Sequence, residues 1–537
     1  MNILGIQKNH NSSVALFNDY QLIYYNQEER LSRVKRDSFF PVKCLEQIKK
    51  LNVKIDKVIM TGYNTEGDFQ LYTVLKKLGI VKRYDYCYHY FKSHHITHAA
   101  KALYSSGFKD ALVFVYDGRG SSYTLENGQN AYETLSVYLA KQPFGFECKY
   151  KKLLSSAQGE NKKVLYNLEP FSYDFKTTVP LSLNSKTIFE VSSYDSLCPL
   201  YTHVSGYIGF GNDNEGKTMG LKAYGGSNAI IKNILYKKDL FHTQYDLNDK
   251  YKITEEPKIL AFEVQRIFEN TFKEVLDKFK HLNKNIILTG GGALNILNNY
   301  KVQKHIKDTH QLYIDPMCGD EGNSIGAALL HLQNHNEKDF VKINDIYLGP
   351  KPELKKISKT KPDTINHLLN KKIVALFQGR AEGGPRALGN RSLLFDPRVK
   401  NGKDIVNKVK KREWFRPFGC SVLEEEAHKW FDMQGLKESP YMLYGVQCLP
   451  NKKNLIPSIV HADNSCRIQT VNEKQNKVLY DILKEFYKRT KVPILLNTSF
   501  NLSNEPLVET QEEAIDVFNR SDIDVLYFPE IKEEIKK

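Results

Sequence analysis

FKSHHITHAAKALYSSGFKDALVFVYDGRG, residues 91–120, reads as a helix followed by a strand, with its polar residues where each element begins or ends. His94 and His98 stand four residues apart, so on a helix both face one side. Gly107 is a natural helix stop, and the nearly all-apolar Ala111–Tyr116 that follows reads as a buried strand. Asp117 closes that strand, a position from which a carboxylate projects into a cleft at the strand end.

The same alternation recurs on both sides. Ile3–Gln7 and Val14–Phe17 predict a hairpin around His10, Asn11 and Ser12. A lysine-rich helix is expected at Val42–Leu51 and a strand at Val58–Met60. Apolar residues at 262, 264, 267, 268, 272, 275, 276 and 279 keep helical spacing and lead into a buried strand, Ile286–Leu288. Another strand, Leu312–Ile314, runs into DPMCGDEGNSIGAALLHL, where Asp320 sits in a glycine loop entering a helix. Strands alternating with helices predict mixed α/β layers. The Ser/Tyr-rich stretch from about 135 to 200 shows no assignable period, and 346–365, rich in Pro and Lys, reads as a linker or domain boundary. A second α/β segment then opens with the strand KIVALFQG.

At 537 residues the chain exceeds one hydrophobic core, so two or three domains are expected. Composition is that of a globular protein, 41% hydrophobic and 26% charged. No apolar run approaches the roughly 20 residues of a membrane helix, and the N-terminus lacks a signal-peptide pattern. Eight scattered cysteines without a CxxC exclude a zinc ribbon and a disulfide framework, which fits a reducing cytoplasm. The net charge of +15 comes from lysines dispersed among Glu, Asp and Asn, without a nucleic-acid-binding signature. Neither nucleic acid nor membrane is expected as a partner.

Standing alone, His94 and His98 read equally well as hydrogen-bonded histidines. A zincin protease needs HExxH, and His95 occupies the glutamate position. With Asp117 and Asp320, however, the pair would suit Fe(II) or a similar divalent ion with open positions. Gly290, Gly291 and Gly292, followed by Asn295, could bring backbone N–H groups to a phosphate or form a tight turn. GFGNDNEGKTMGLKAYG (209–225) adds Glu215 and Lys217. GRAEGGPRALGNRSLLFDPR (379–398) carries Arg380, Arg386, Arg391 and Arg398, and KKREWFRPFG (410–419) carries Lys410, Arg412 and Arg416. Basic glycine-rich loops of this kind suit phosphates. Arg467 follows HADNSC, and LLNTSFN (495–501) holds Asn497, Ser499 and Asn501 beyond a buried strand.

EERLSRVKRDSFFP (28–41), HHITHA, DGRG, EGKTMGLKAYG, GGGALN, GDEGNSIGAA, GPRALGNRS, REWFRPF, RIQTV and NTSFNLSNEP follow one another in a familiar order. The chain thereby resembles the O-carbamoyltransferases of the NodU/CmcH type, which act on nodulation factors, cephems and aminoglycosides. The resemblance implies an actin-like (ASKHA, duplicated RNase H-like) carbamoyl-transfer domain over 1–345 and a YrdC-like α/β domain over 346–537. The second would make carbamoyl-adenylate from carbamoyl phosphate and ATP, the latter with Mg2+. His94, His98, Asp117 and Asp320 match the family's metal ligands, usually iron, with His95 supporting the site. Lys410 and Arg412 match a KxR pair, and Ser499 and Asn501 an SxN pair, at the adenylation site. Arg380, Arg386, Arg416, Arg467 and Asn497 are expected beside them, and Gly290–Gly292, Asn295, Glu215 and Lys217 at a nucleotide or phosphate site of the first domain. His10 either orients or deprotonates the acceptor hydroxyl or is a hydrogen-bonded turn histidine. The acceptor would be a sugar, nucleoside or secondary metabolite, and a homodimer is left open. A tRNA-modifying transferase and a non-catalytic actin-like regulator are the alternatives. The chain departs from the family's usual FRPFAP, HVDGTAR and GEP at Cys420, Asn464–Cys466 and Asn504.

Overall fold

Short apolar strands at the N-terminus build the first sheet: β1 (Asn2–Gln7), β2 (Ser13–Asn18), β3 (Gln21–Gln27), β4 (Lys57–Thr61) and β5 (Cys87–His89). Their order is β3-β2-β1-β4-β5, antiparallel from β3 to β1 and parallel from β1 to β5. Tight turns suffice for the antiparallel half, while each parallel step needs a crossover, as helix Val42–Lys50 provides before β4. The computed structural model describes residues 1–62, 68–82, 87–89, 94–125, 130–142, 145–155, 181–182, 187–192, 197–211, 213–237, 257–333, 345–357 and 361–537.

The second sheet repeats the first. It contains β6 (Asp110–Tyr116), β7 (Ser122–Thr124), β8 (Asn130–Lys141), β9 (Phe146–Ser155), β10 (Leu181–Ser182), β11 (Ile188–Ser192), β12 (Asn285–Thr289) and β13 (Gln311–Ile314). Its path β9-β8-β6-β12-β13 is again antiparallel for two steps and parallel for two. Two copies of one topology are the duplicated, RNase H-like arrangement of actin-like folds. Helix His94–Ser106, buried along nearly its whole length, packs on β6 and β12. Helix Asn323–Gln333 packs on β1, β2 and β4 and also against the histidine helix. Gly326 permits that approach, since a Cβ there would lie 2.1 Å from the Thr97 carbonyl oxygen.

Part of the unassignable 135–200 stretch proves to be regular. Strands β8 (Asn130–Lys141) and β9 (Phe146–Ser155) pair antiparallel within the sheet. Their buried Glu133, Thr134, Ser136, Lys151 and Lys152 interrupt the apolar alternation that would have announced strands. Residues 143–144, 156–180, 183–186 and 193–196 of that stretch lie outside the described residues.

The chain divides into two compact units. Unit 1 is Met1–Glu28, Asp37–Asn298 and Asp308–Asn344; unit 2 is Glu29–Arg36, Asn299–Lys307 and Asp345–Lys537. Unit 2 is built on a nine-stranded sheet. Its strands run Phe431–Asp432, Gly445–Cys448, Ser465–Val471, Gly419–Leu423, Ile494–Ser499, Arg391–Phe395, Val374–Phe377, Val525–Phe528 and Glu533–Lys536. The stretch expected as a linker or boundary does begin at a division between the units, at Asn344/Asp345, but its start is packed structure of unit 2 rather than a linker. Ile346 and Leu348 are buried, Gly349 N–H donates to Ala381 O at 3.0 Å, and Arg380 holds the carbonyls of Leu348 and Gly349. Among the described residues no helix is long and apolar enough to cross a membrane.

Candidate functional site

In unit 1 the strand ends and the histidine helix converge. His94 Nε2 lies 3.0 Å from Asp117 Oδ2 and 3.3 Å from Asp320 Oδ1; His98 Nε2 lies 3.5 Å and 3.3 Å from the same two oxygens. The two Nε2 atoms are 3.3 Å apart, and one ligand atom from each residue falls within 4.8 Å of all the others. A divalent ion with bonds of about 2.1 Å sets neighbouring ligand atoms about 3.0–3.4 Å apart, so the donor set and its spacing fit such an ion. Asp117 is pre-oriented: its Oδ1 accepts N–H bonds from Gly118 (2.8 Å) and Gly291 (3.2 Å), leaving Oδ2 toward the histidines. Asn323 Nδ2 stands 3.1 Å from His98 Nε2.

The charges here compensate one another. Burial opposes a charge on His94 and on His98, but Asp117 and Asp320 outweigh it and push both imidazoles up. Against the same burial, the histidines hold Asp117 well below the carboxylate range and Asp320 at about 2. His95 points elsewhere. Its Nδ1 is 2.7 Å from Ser136 Oγ, and burial lowers its pKa to about 3, so it is neutral. His10, in the β1–β2 turn, lies 3.4 Å from Asp213 Oδ2 and 3.9 Å from Asp320 Oδ2, and Asp213 raises its pKa to about 9 against burial.

The glycine triplet serves the strand end. A Cβ on Gly290 would lie 2.4 Å from the Tyr116 carbonyl oxygen, one on Gly291 2.8 Å from Asp117 Oδ1, and one on Gly292 2.4 Å from the Tyr116 ring. Asn295 is engaged on both amide atoms by Gln265, at 3.0 and 3.1 Å. Glu215 accepts from Thr202 at 2.6 Å, and Lys217 lies over the Phe210 ring.

Unit 2 gathers cations instead. Lys410 is fully buried and its ammonium donates to the carbonyl and hydroxyl oxygens of Ser499 and to the carbonyl and side-chain oxygens of Asn501. It therefore shapes the Ser499–Asn501 turn. Burial pushes its pKa well down, and Arg412 and Arg416 push in the same direction. Burial, Arg416 and Arg386 bring Arg412 to about 9; burial with Arg386, Arg412 and Arg416 holds Arg467 well below the guanidinium range. Arg412 and Arg467 make no side-chain hydrogen bond or ion pair among the described residues, and Arg467 Nε is buried without a partner. Arg416 reaches Glu413 at 3.5 Å. Asn497 Nδ2 donates to Ser421 Oγ and Gln469 Oε1 within the sheet.

Of the four arginines in 379–398, Arg386 joins this cluster. Arg380 is pinned to the Leu348 and Gly349 carbonyls, beside a cavity of about 310 Å3 also lined by Tyr347, Gln378 and Asn476. Arg391 is fully buried over the Phe377 ring and donates to five carbonyls. Arg398 clasps Asp396. Sequence reasoning missed Glu382, whose Oε1 gathers the N–H groups of Leu388, Asn390 and Arg391 and so folds the loop bearing Arg386. It also missed Glu29–Arg36, which packs in unit 2: Arg30 donates to Glu382 O and Gly384 O, and Arg33 to Pro506 O and Leu507 O. The signal was present in the basic run of EERLSRVKR, but no spacing rule ties it to residues nearly 500 positions later.

Residues 56–278 and 271–329 match the family described as Carbamoyltransferase N-terminus, and residues 365–533 match Carbamoyltransferase C-terminus. Nodulation protein NolNO of Sinorhizobium fredii is 28% identical over 96% of this chain and 78% of its own length. The uncharacterised protein MJ1058 of Methanocaldococcus jannaschii is 30% identical over 93% of this chain and 81% of its own. Among solved structures, full-length HypF in its phosphate- and nucleotide-bound form aligns with 62% of this chain and 55% of that chain, at 13% identity and a TM-score of 0.38.

Proposed function

We propose that this chain, which belongs to the carbamoyltransferase family and is an enzyme of that type, works as an ATP-dependent O-carbamoyltransferase. The observation that carries the reading is the buried like-charged cluster of Arg386, Arg412, Arg416 and Arg467, in which Arg412 and Arg467 make no side-chain hydrogen bond or ion pair among the described residues. Like charges held together in a buried site, with donors left over, call for a polyanion. Residues 346–537 would bind ATP, with its Mg2+, and carbamoyl phosphate; one water would cleave carbamoyl phosphate to carbamate and phosphate, and the carbamate oxygen would attack the α-phosphorus of ATP, yielding carbamoyl-adenylate and releasing pyrophosphate. A basic pocket neutralises those anions and keeps bulk water from the carbamate and the carbamoyl-adenylate.

Residues 1–345 would carry the transfer. His94, His98, Asp117 and Asp320 would hold a divalent ion, iron by family resemblance, which would supply Lewis-acid polarisation of a carbamoyl or phosphate oxygen. His10, next to Asp320 and oriented by Asp213, would orient the acceptor hydroxyl as it attacks the carbamoyl carbon and AMP leaves, and would take the hydroxyl proton only where the imidazole is neutral, toward its pKa of about 9. The acceptor is proposed to be a small hydroxylated metabolite or sugar, modified in the cytoplasm. The test is carbamoyl-phosphate-dependent release of pyrophosphate from ATP, followed by turnover with a panel of sugars, nucleosides and hydroxylated metabolites. Absence of pyrophosphate release would sink the adenylation step. Carbamoyl appearing on tRNA, with strongly salt-dependent tRNA binding, would move the acceptor to nucleic acid.

A further inference from the structure

The histidine helix is gripped near both ends by buried ion pairs, and each pair also holds one of the loops that carry an acidic ligand. Near its start stands Glu133 of β8, fully buried. Its Oε1 accepts the N–H of His95 at 3.2 Å and of Ser121 at 3.1 Å. Its Oε2 pairs with Lys151 of β9 and accepts the Tyr123 hydroxyl at 3.3 Å. Ser121 Oγ in turn accepts the His94 N–H at 3.2 Å. Backbone bonds from Gly120 N–H to Glu133 O (2.8 Å) and from Glu133 N–H to Ser121 O (3.0 Å) fix the same loop. One carboxylate thus ties the first turn of the helix to the segment that begins at Asp117.

Further along, Lys101 follows His98 by three residues and donates to Asp315 Oδ1. That oxygen also accepts the Met317 N–H at 3.2 Å, and Oδ2 accepts the Thr289 hydroxyl at 3.2 Å. Asp315 N–H itself donates to Leu288 O at 3.0 Å. The second carboxylate thus ties the helix, the end of β12 and the start of the loop that ends at Asp320.

Burying an ion pair is a poor route to stability, since apolar replacements are often neutral or better. Here both pairs instead join a ligand-bearing helix to a ligand-bearing loop. Outer residues of this kind fix the orientation of metal ligands and typically alter affinity 10–100-fold. We propose that Glu133 and Asp315 are positioning residues of the metal site, setting the distance from His94 and His98 to Asp117 and to Asp320. The inference rests on the metal-site reading above.

The test uses the full chain and Co(II), with affinity measured by chelator competition and geometry by the visible absorption of the bound ion. In Glu133→Leu/Lys151→Met the charges and the acceptor oxygen both go; in Glu133→Gln/Lys151→Met the charges go and the acceptor remains. Lys101→Met/Asp315→Leu and Lys101→Met/Asp315→Asn repeat the contrast near the other end, should either Glu133 variant fail to fold. Circular-dichroism melting and pyrophosphate release check folding of each. The leucine variants should bind Co(II) about 10–100-fold more weakly with an altered spectrum, and the amide variants should stay close to wild type. Wild-type affinity in the leucine variants, or equal losses in the leucine and amide variants, would overturn the proposal. A wild-type chain that binds no Co(II) would instead remove the metal-site reading beneath it.

Discussion

Around His94 the buried charges come in opposite signs, whereas around Arg412 they share one. In the first region each imidazole faces two carboxylates within 3.5 Å, and each stabilises the charged form of the other. In the second, burial depresses Lys410, Arg412, Arg416 and Arg467, Arg416 adds to the depression of the other three and Arg412 to that of Lys410 and Arg467, and only Glu413 makes an ion pair with any of the four among the described residues. The difference teaches what each region lacks. A self-compensated quartet can exchange its protons for one dication, while a one-signed cluster is under repulsion until an anion arrives.

The largest effect should come from separating the two regions by mutation. His98→Ala should abolish carbamoyl transfer while leaving carbamoyl-phosphate-dependent pyrophosphate release near wild type. Arg412→Ala should do the reverse at the earlier step, lowering pyrophosphate release about 10²–10³-fold, the usual loss for a removed charge-stabilising donor. Arg412→Lys should recover little, because an ammonium lacks the planar fork of a guanidinium. Loss of both half-reactions in a folded His98→Ala protein would break the comparison, since the two regions would then act as one.

A smaller effect follows from the repulsion itself. Arg412 sits at about 9 in the fold, well below the ordinary guanidinium value, so the native chain holds that proton less tightly than the unfolded one. For a base shifted down, the cost to folding is fully in force below the folded value and lessens as pH rises from about 9 toward the ordinary value. At neutral pH the cost is present, and an anion can relieve it. Pyrophosphate at a hundred times its Kd should stabilise unit 2 by about 2.7 kcal/mol, seen as a rise in Tm. Arg467→Gln should shrink that rise and raise the melting temperature of the ligand-free protein. An Arg467→Gln protein that responds to pyrophosphate as wild type does would place the anion elsewhere.

The two regions were also unequally legible in the sequence. His94, His98, Asp117 and Asp320 could be singled out because each obeys a local rule: one helical turn between the histidines, and a carboxylate where a strand ends or a helix begins. The β8–β9 pair that braces them was not legible, because Glu133 and Lys151 are charged residues inside a strand core, and a pattern of apolar alternation cannot find them. In unit 2 the basic loops stood out by composition, but composition does not say where a guanidinium points. The carbonyls that take up Arg391 come from Gln378, Gly379, Asn390, Val508 and Glu509, and the last two lie outside any strand and are brought to it by tertiary packing that no local pattern shows. The same holds for Glu29–Arg36, whose place in unit 2 depends on tertiary packing.

The smallest effect tests that last point within a single loop. Arg386 and Arg398 both belong to GPRALGNRSLLFDPR and are indistinguishable by residue type. Arg386 adds to the repulsion felt by Arg412 and Arg467, while Arg398 is engaged through two nitrogens by Asp396, at 2.7 to 3.1 Å. Arg398 is also 36% exposed, and partly solvated pairs of this kind contribute about 0–1 kcal/mol. Arg398→Ala should therefore shift Tm slightly and leave pyrophosphate release and its dependence on carbamoyl phosphate concentration unchanged. Arg386→Ala should raise the KM for ATP or carbamoyl phosphate, because its charge belongs to the like-signed cluster proposed to meet those anions. If the two variants behave alike, the line between arginines that hold the fold and arginines that face the ligand is drawn in the wrong place. If they diverge as stated, position relative to the sheet, and not basic composition, marks the proposed adenylation site.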